Sequence, residues 1–487
     1  MHYILGNDRL QSEFFTRLDD MVPAQHYCRL IDLMADCFTK ENLSLFEEKG
    51  RLDIGRKAYH PSLLLKLYLY GYLNSLSSSR KLERECHRNI ELMWLMTRLA
   101  PDHKTIANFR RQNGTAIELV LLKFNQLLKD SGYIKGKIIS IDGSKIRANA
   151  GMYIDLSTVD NRLVDLEAEL SKYMAGLEQS DQAENELLEM EEQKKLMAQQ
   201  LETIQQEIQQ LRKQKEVLEN TEAKKLSPTD PDARIMQSRH GRHLSYNLQA
   251  VVDAENHMIV CSTMTNHAND RNQLTPMVEQ VERDLCITPE KVIADAGYYV
   301  INQIEYLEKE KSIECFVPIS HNHQQLREIE AGIEFSYNTE QDIYTCSQGQ
   351  ELHPMHGIKR DKRRNTEAKI YQGVNCTGCN IKSSCTTSEK GRSIRRQSNQ
   401  EWKDQYLLKM KSVEGKEKMR LRRMLSEHPF GTIKYWMGQI PLLTRGLRGV
   451  QTEVTIYTIV YNFRRWLSLE SFNIMKERII DFNWKPI

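Results

Sequence analysis

The sequence predicts an α/β core that is preceded by an all-α region and interrupted by a coiled-coil hairpin and a cysteine-rich insertion. Three observations carry this. Two short apolar runs end in an aspartate and a glycine, Lys137-Ile-Ile-Ser-Ile-Asp-Gly-Ser-Lys145 and Lys291-Val-Ile-Ala-Asp-Ala-Gly-Tyr298, with aspartates 153 residues apart. Apolar runs this short, bounded by turn residues, read as buried strands rather than helices. Residues 155–226 carry heptads, and residues 346–385 hold Cys346, Cys376, Cys379 and Cys385.

The bulk numbers set the frame. A chain of 487 residues is too long for one hydrophobic core, so about two to four domains are expected. No apolar run approaches the roughly 18 residues of a membrane span. The start, Met1-His-Tyr-Ile-Leu-Gly-Asn-Asp-Arg9, lacks the basic and apolar regions of a secretory signal, so a cytoplasmic location with reduced cysteines is expected. The net charge of +2 hides a segregation: residues 155–226 hold 17 acids against nine Lys and Arg, so the remainder carries +10. Basic residues crowd 359–369 and 392–423. A basic surface suggests nucleic acid, although a solvated Lys/Arg face gives the same pattern.

Residues 1–125 read as helical. Pro61 opens a helix that is apolar nearly all round to Tyr72, Ser77 to Ser79 can cap Arg80–Cys86, and Asp102 can cap His103–Arg111. In that last helix Ile106 and Phe109 point inward, leaving Lys104, Asn108, Arg110 and Arg111 outside. Short helices ending in a basic one fit a helix-turn-helix DNA reader, and equally an all-α packing domain with a basic surface. The first strand should leave the sheet at Asp142, the second at Asp295. Each aspartate could cap a turn; two of them together raise a metal site, because neighbouring carboxylates repel without a cation between them.

From 155 to 226, leucines recur at three and four on two helices broken near Gln179–Gln182. An antiparallel hairpin inserted into the core is the reading, a parallel oligomerisation coil the alternative. The core resumes at 227–320, with a hairpin (Ser245–Asp253, Met258–Thr263), a helix from Asp270 and short strands before Asp295 and at Glu314–Pro318. In the 340–390 insertion the Cys-x2-Cys pair and two outlying cysteines supply the four thiolates of a tetrahedral zinc, with His353 or His356 able to replace one. Scattered free cysteines are the alternative. Residues 398–487 read as helical and basic. Arg423 and Glu427 share a helical face, Lys434 follows, and Thr455–Leu469 is a last amphipathic helix.

Together these residues resemble the DDE transposases of bacterial insertion sequences. The resemblance rests on Ser79-Arg-Lys-Leu-Glu83, Pro101-Asp-His-Lys-Thr-Ile-Ala-Asn-Phe-Arg110, Asp142 in Ile-Asp-Gly-Ser, Asp295 in Ala-Asp-Ala-Gly-Tyr, and Glu427-His-Pro-Phe-Gly-Thr-Ile-Lys434. Arg423, Glu427 and Lys434 match the family signature Y-x2-R-x3-E-x6-K, but Arg420 stands where the tyrosine belongs. The cysteines are similar to a cysteine-rich insert of some members.

The resemblance implies a ribonuclease-H-like mixed sheet flanked by helices, built from 133–154 and 227–320 and completed by 398–487. It implies Asp142, Asp295 and Glu427 holding two Mg²⁺ (or Mn²⁺) ions roughly 3.5–4 Å apart. Arg423 and Lys434 would then hold DNA phosphates, alongside Lys104, Arg110 and Arg111. The implied partners are double-stranded DNA, as terminal inverted repeats and as target, and a second copy of the chain, with no membrane and a nucleoid-associated bacterial location. The implied activity is strand cleavage and strand transfer. A ribonuclease-H-like nuclease without strand transfer, or an inactive DNA-binding relic, would share much of the pattern.

Overall fold

The computed structural model describes residues 17–46, 58–181, 189–220, 225–238, 241–319, 323–361, 366–376, 378–397, 399–433 and 442–485. These fall into two compact units, one within 1–270, 276–289 and 425–487, the other within 271–275 and 290–424.

The first unit opens with helices whose starts the sequence explains. α1 (Tyr27–Asn42) is followed by α2 (Pro61–Leu73), where proline's fixed φ suits the first turn and almost every residue from Ser62 to Tyr72 is buried. α3 (Ser79–Cys86) has Ser78 at its N-cap but no side-chain capping bond, whereas Asn89 caps α4 (Ile90–Leu95). Asp102 caps α5 (His103–Gln112) as expected, accepting from the Lys104 and Thr105 N–H groups at 2.9 and 3.0 Å. α6 (Gly114–Asp130) carries the helical region past residue 125.

β1 (Ile138–Arg147), β2 (Arg234–Ser238), β3 (Gly241–Asp253) and β4 (Ile259–Thr265) form the sheet of this unit. β3 is its middle: β1 and β4 both pair antiparallel with its 247–252 stretch, so they occupy opposite edges, and β2 pairs with its first half. Accordingly β3 is buried without alternation from Leu244 to Asp253. One expectation needs correcting. β1 does not leave the sheet at Asp142; it runs five residues further, because β3 offers partners down to Ser245 opposite Arg147. Gly143 is accordingly a close approach rather than a turn: a Cβ there would lie 2.6 Å from Asp270 Oδ1 and 2.9 Å from Gln249 Nε2.

Two long helices leave and rejoin this sheet at one point. Ile154 and Leu226 exchange backbone hydrogen bonds of 2.7 and 2.8 Å, and between them run α7 (Leu156–Asp181) and α8 (Glu189–Asn220). Val159, Leu163 and Leu166 pack with Ile204, Ile208 and Leu218. The start of α7 and the end of α8 meet at the Ile154–Leu226 bridge, so the two helices are antiparallel, and the ion pairs Asp160–Lys215, Arg162–Glu207 and Glu167–Arg212 cross between them. The expected break at Gln179–Gln182 begins inside α7, which stays helical to Asp181; residues 182–188 lie outside the described residues. α9 (Leu274–Leu285) follows the hairpin of β3 and β4.

α15 (Leu447–Leu469) is not the last helix, nor amphipathic along its first half: it is buried on all sides from Thr452 to Phe463, and α16 (Phe472–Asp481) follows it. Its threonines are satisfied within the helix, since the Thr452, Thr455 and Thr458 hydroxyls donate to carbonyls four residues back at 2.9–3.0 Å. Asn462 accepts from Ile259 N and donates to Asn125 Oδ1, both at 2.8 Å, and Tyr457 stands 4.5 Å from the Tyr72 ring. α15 thus ties the N-terminal helices to β4. Gly114 marks the closest approach, because a Cβ there would meet Thr452 Oγ1 at 2.6 Å.

In the second unit, β5 (Lys291–Ala294) and β6 (Glu314–Phe316) are parallel and joined through α10 (Ile301–Lys309). α11 (His323–Glu330) precedes a second sheet that the sequence reading did not foresee. It is antiparallel, in the order β11 (Ser393–Gln397), β10 (Thr366–Gly373), β9 (Glu351–Asp361), β8 (Ile343–Cys346), β7 (Phe335–Asn338), with α12 (Lys382–Cys385) between β10 and β11. Tyr344, Leu352 and Tyr371 form its small core. Asp342 braces it, paired with Lys369 and accepting from the Tyr371 and Tyr337 hydroxyls, and these partners hold its carboxyl down at about 2. α13 (Gln400–Lys411) is fixed by Tyr406, whose hydroxyl both accepts from Val317 N and donates to Val317 O. α14 (Val413–Gly431) follows, and the division between units falls after its Met424.

The Ile154–Leu226 bridge generates a prediction. Replacing residues 155–225 by a short Gly/Ser bridge should remove the ellipticity of α7 and α8 while the remainder still unfolds cooperatively, as followed by circular dichroism. Loss of cooperative unfolding would show that the two helices belong to the core.

Candidate functional site

Asp142 is half-buried in β1, opposite Ala250 of β3, and its Oδ1 accepts the Gly143 N–H at 2.8 Å. Strand alternation puts it on one face of β1 and Gly143 and Lys145 on the other. On that other face lies Asp270, whose Oδ1 accepts from Asn247 Nδ2 at 2.7 Å, Gln249 Nε2 at 2.8 Å and Lys145 Nζ at 3.2 Å. Asp270 was read only as a helix start. Its three partners come from two strands distant in sequence, β1 and β3, so no local pattern betrays it. Because it faces away from Asp142 and is neutralised by Lys145, it braces the strand rather than adding a second carboxylate beside Asp142.

Asp295 follows the last residue of β5, as expected. Its Oδ1 accepts Gly297 N–H at 2.8 Å and so caps the turn Ala296–Tyr298. Among the described residues its other oxygen accepts no hydrogen bond. Capping and metal binding are therefore compatible there. Glu427 lies in α14, one turn after Arg423, but its side chain is outside the described residues, as is Lys434. Arg423 and Arg420 are exposed on the same helix.

The basic face of α5 needs a correction. Lys104 and Arg111 are exposed, Arg111 donating to Asn108 Oδ1 at 2.9 Å, but Arg110 is only 5% exposed. Helical spacing places it beside Ile106 and Phe109 on the buried side. Its Nη1 donates to the Tyr72 hydroxyl at 2.6 Å and its guanidinium lies 5.6 Å from the Tyr68 ring. Burial opposes the charge, but Tyr72, Tyr68 and Glu453 outweigh it and raise the guanidinium pKa. Arg110 is a core cation, not a DNA contact.

Cys346, Cys376, Cys379 and Cys385 line one cavity of about 20 Å³ between the second sheet and α12. That is room for a single water-sized body. His353 and His356 do not line it; His353 pairs instead with Glu351 at 3.1 Å. The sulfurs surround the space without being drawn to bonding separations. Among the described residues, the group whose ligand atoms do lie within 4.8 Å of one another is His26, Cys28 and Glu91. The sequence reading missed it. Glu91 already accepts from the Tyr70 and Tyr27 hydroxyls at 2.6 and 3.1 Å, and burial pushes the Cys28 thiol far up, so this is a hydrogen-bonded brace between α1, α2 and α4.

Residues 16–112 match the family model "Transposase domain (DUF772)", and residues 345–467 match "Transposase DDE domain". The chain is a DDE transposase of the insertion-sequence type. The basic helix of this transposase lies in the first matched segment. Glu427, Arg423 and the four cysteines lie in the second, and Asp142 and Asp295 fall between the two. No curated protein matches the chain. Among solved structures it is similar to a piggyBac transposase synaptic complex with hairpin DNA, at 8% identity and a TM-score of 0.28, over 95% of this chain and 80% of that one. No helix among the described residues is long and apolar enough to cross a membrane.

The burial of Arg110 separates two variants. Arg110→Ala should destabilise the transposase by about 3 kcal/mol, the usual cost of breaking a buried charged network. Arg111→Ala should stay within about 0.5 kcal/mol of wild type, as exposed substitutions do. Denaturant titration of both variants measures the difference.

Proposed function

We propose that the transposase cleaves DNA at the ends of its own element and joins the freed 3′ ends to target DNA, using Asp142, Asp295 and Glu427. The observation that carries this is the matched DDE segment, which holds Glu427 one helical turn after Arg423, on a chain whose two other acids lie one within β1 and one just after β5. An antiparallel trio, β1, β3 and β4, in the first unit and a parallel pair joined by a helix, β5 and β6, in the second are the kinds of strand pairing that a ribonuclease-H-like reading calls for, and so support it. Asp295 offers an unshared carboxylate oxygen, which suits a cation ligand. When bound, two Mg²⁺ or Mn²⁺ ions supply Lewis acidity at the attacking and leaving oxygens. The chain itself presents Asp142 from β1, Asp295 from the end of β5 and Glu427 from α14, and holds neighbouring phosphates with Arg423 and Lys434. Lys104 and Arg111 contact DNA further out. Two element ends call for two protomers.

Alanine at Asp142, Asp295 or Glu427 should each lower cleavage of the flanking inverted-repeat DNA by roughly 10³-fold or more, at least about 4 kcal/mol of transition-state stabilisation. Binding to the same DNA, followed by gel shift, should change only slightly. Unaltered cleavage in any one variant removes that residue from the site.

The four cysteines are proposed to hold one structural zinc. Four thiol side chains around a cavity of single-atom size are a donor set for tetrahedral zinc, and neither nearby histidine is needed. Purified protein should contain about one zinc per chain by elemental analysis. The double variant Cys376→Ser, Cys379→Ser should lose the metal and the protease resistance of the 335–397 sheet. A zinc-free wild type with that sheet intact would overturn the assignment.

A further inference from the structure

A second site lies at the foot of the helical insertion. Where β1 ends, a cavity of about 850 Å³ opens, bounded by Gly151 and Tyr153 on one side and by the loop Asn266–Asn269 on another. Four cations reach it from four different segments: Arg147 at the end of β1, Lys225 where the insertion returns, Arg234 on β2 and Arg242 on β3. No carboxylate lines it, and among the described residues none of the four is ion-paired. This contrasts with α7 and α8, where Arg162, Arg212 and Lys215 are paired across the helices.

Three of the cations are held in place by neutral groups. Arg234 Nη1 donates to the Pro231 and Ala233 carbonyls at 2.6 and 3.0 Å. Arg242 Nε donates to Gln237 Oε1 at 3.2 Å, and Lys225 Nζ stands 4.3 Å from the Tyr153 ring. Such contacts order the side chains, and among the described residues neither Arg234 nor Arg242 has a carboxylate within ion-pairing distance, while Lys225 feels the Asp155 carboxylate from beyond that distance. Planar guanidiniums positioned this way suit bidentate phosphate recognition. Asn266 and Asn269 add amide donors. The volume is at the upper end of ligand cavities, room for a stretch of backbone rather than one phosphate.

We propose that this groove binds the sugar-phosphate backbone of duplex DNA flanking the attacked phosphate. The proposal rests on the transposase reading and adds to it a binding surface distinct from Arg423, Lys434 and α5. Arg147 is five residues along β1 from Asp142, hence about 16 Å away. That spacing places the groove outside the catalytic site but on the same rigid strand.

The test uses the full-length protein and a 40-base-pair duplex of arbitrary sequence, since phosphate contacts carry no sequence information. Binding is measured across a series of potassium chloride concentrations. Arg147→Ala, Arg234→Ala and Arg242→Ala should each reduce the slope of log affinity against log salt by about one unit. Arg234→Lys and Arg242→Lys should restore most of it, which separates lost charge from lost folding. Arg162→Ala, on the insertion, should leave the slope unchanged. Wild-type binding with slopes unaltered in all three alanine variants would overturn the groove and leave the transposase reading standing. Wild type failing to bind any duplex would overturn both. Tighter binding of a 20-nucleotide single strand, with the same slope losses, would overturn the duplex assignment.

Discussion

β1 pairs with β3 from Ile139 opposite Asp253 to Arg147 opposite Ser245, and a slip of one residue would exchange the two faces of the strand. That register puts Asp142 on one face and Gly143, Lys145 and Arg147 on the other. It is locked by the absence of a side chain at Gly143, into whose space Asp270 and Gln249 fit. The Asp270 carboxylate gathers Asn247, Gln249 and Lys145, so a single half-buried acceptor fixes two strands and the loop that follows β4. Any larger residue at 143 would push this acceptor out and free the register.

The second constraint is α15. A helix buried on all sides needs partners on all sides, and its partners are β4 and the N-terminal helices. Its threonines satisfy their hydroxyls within the helix, so polarity does not cost burial. Arg110 extends the same logic. Its charge sits among Tyr72, Tyr68 and Glu453, and Glu453 in turn accepts from the Leu443 and Thr444 N–H groups. The exposed face of α5, with Lys104 and Arg111, is thereby carried on the same core as β1. A DNA contact made by one is held in fixed relation to the other.

What the sequence disclosed follows from what local patterns report. Caps and breakers are local, so Asp102, Pro61 and the limits of the insertion were readable. Heptads are local too, and Val159, Leu163 and Ile208 pack as their spacing requires. Strand length is not local: β1 extends past an apparent Asp-Gly stop because its partner is long. Arg110 shares the inward spacing of Ile106 yet looks like a surface residue, since sequence cannot show that two tyrosines wait for it. The second sheet escaped because β9, Glu351–Asp361, is mostly polar and contains Pro354, against every strand preference. Its stability comes from Asp342 and the ring cluster, pairings that span 27 and 29 residues.

Charge was visible in the sequence as a total and a segregation, but not as a surface. Part of the acidic excess of residues 155–226 goes into cross-helix pairs, which neutralise Arg162, Arg212 and Lys215 in place. The cations at the foot of the insertion have no such partners among the described residues; carbonyls, an amide and a ring hold them instead. Positioned like charges repel one another, and a fold that keeps them together accepts that repulsion as a standing cost. An anion that binds only the folded state removes the cost and stabilises the fold by mass action. On the proposed reading of the groove, the stability of the sheet carrying Asp142 is therefore coupled to the presence of a polyanion beside it.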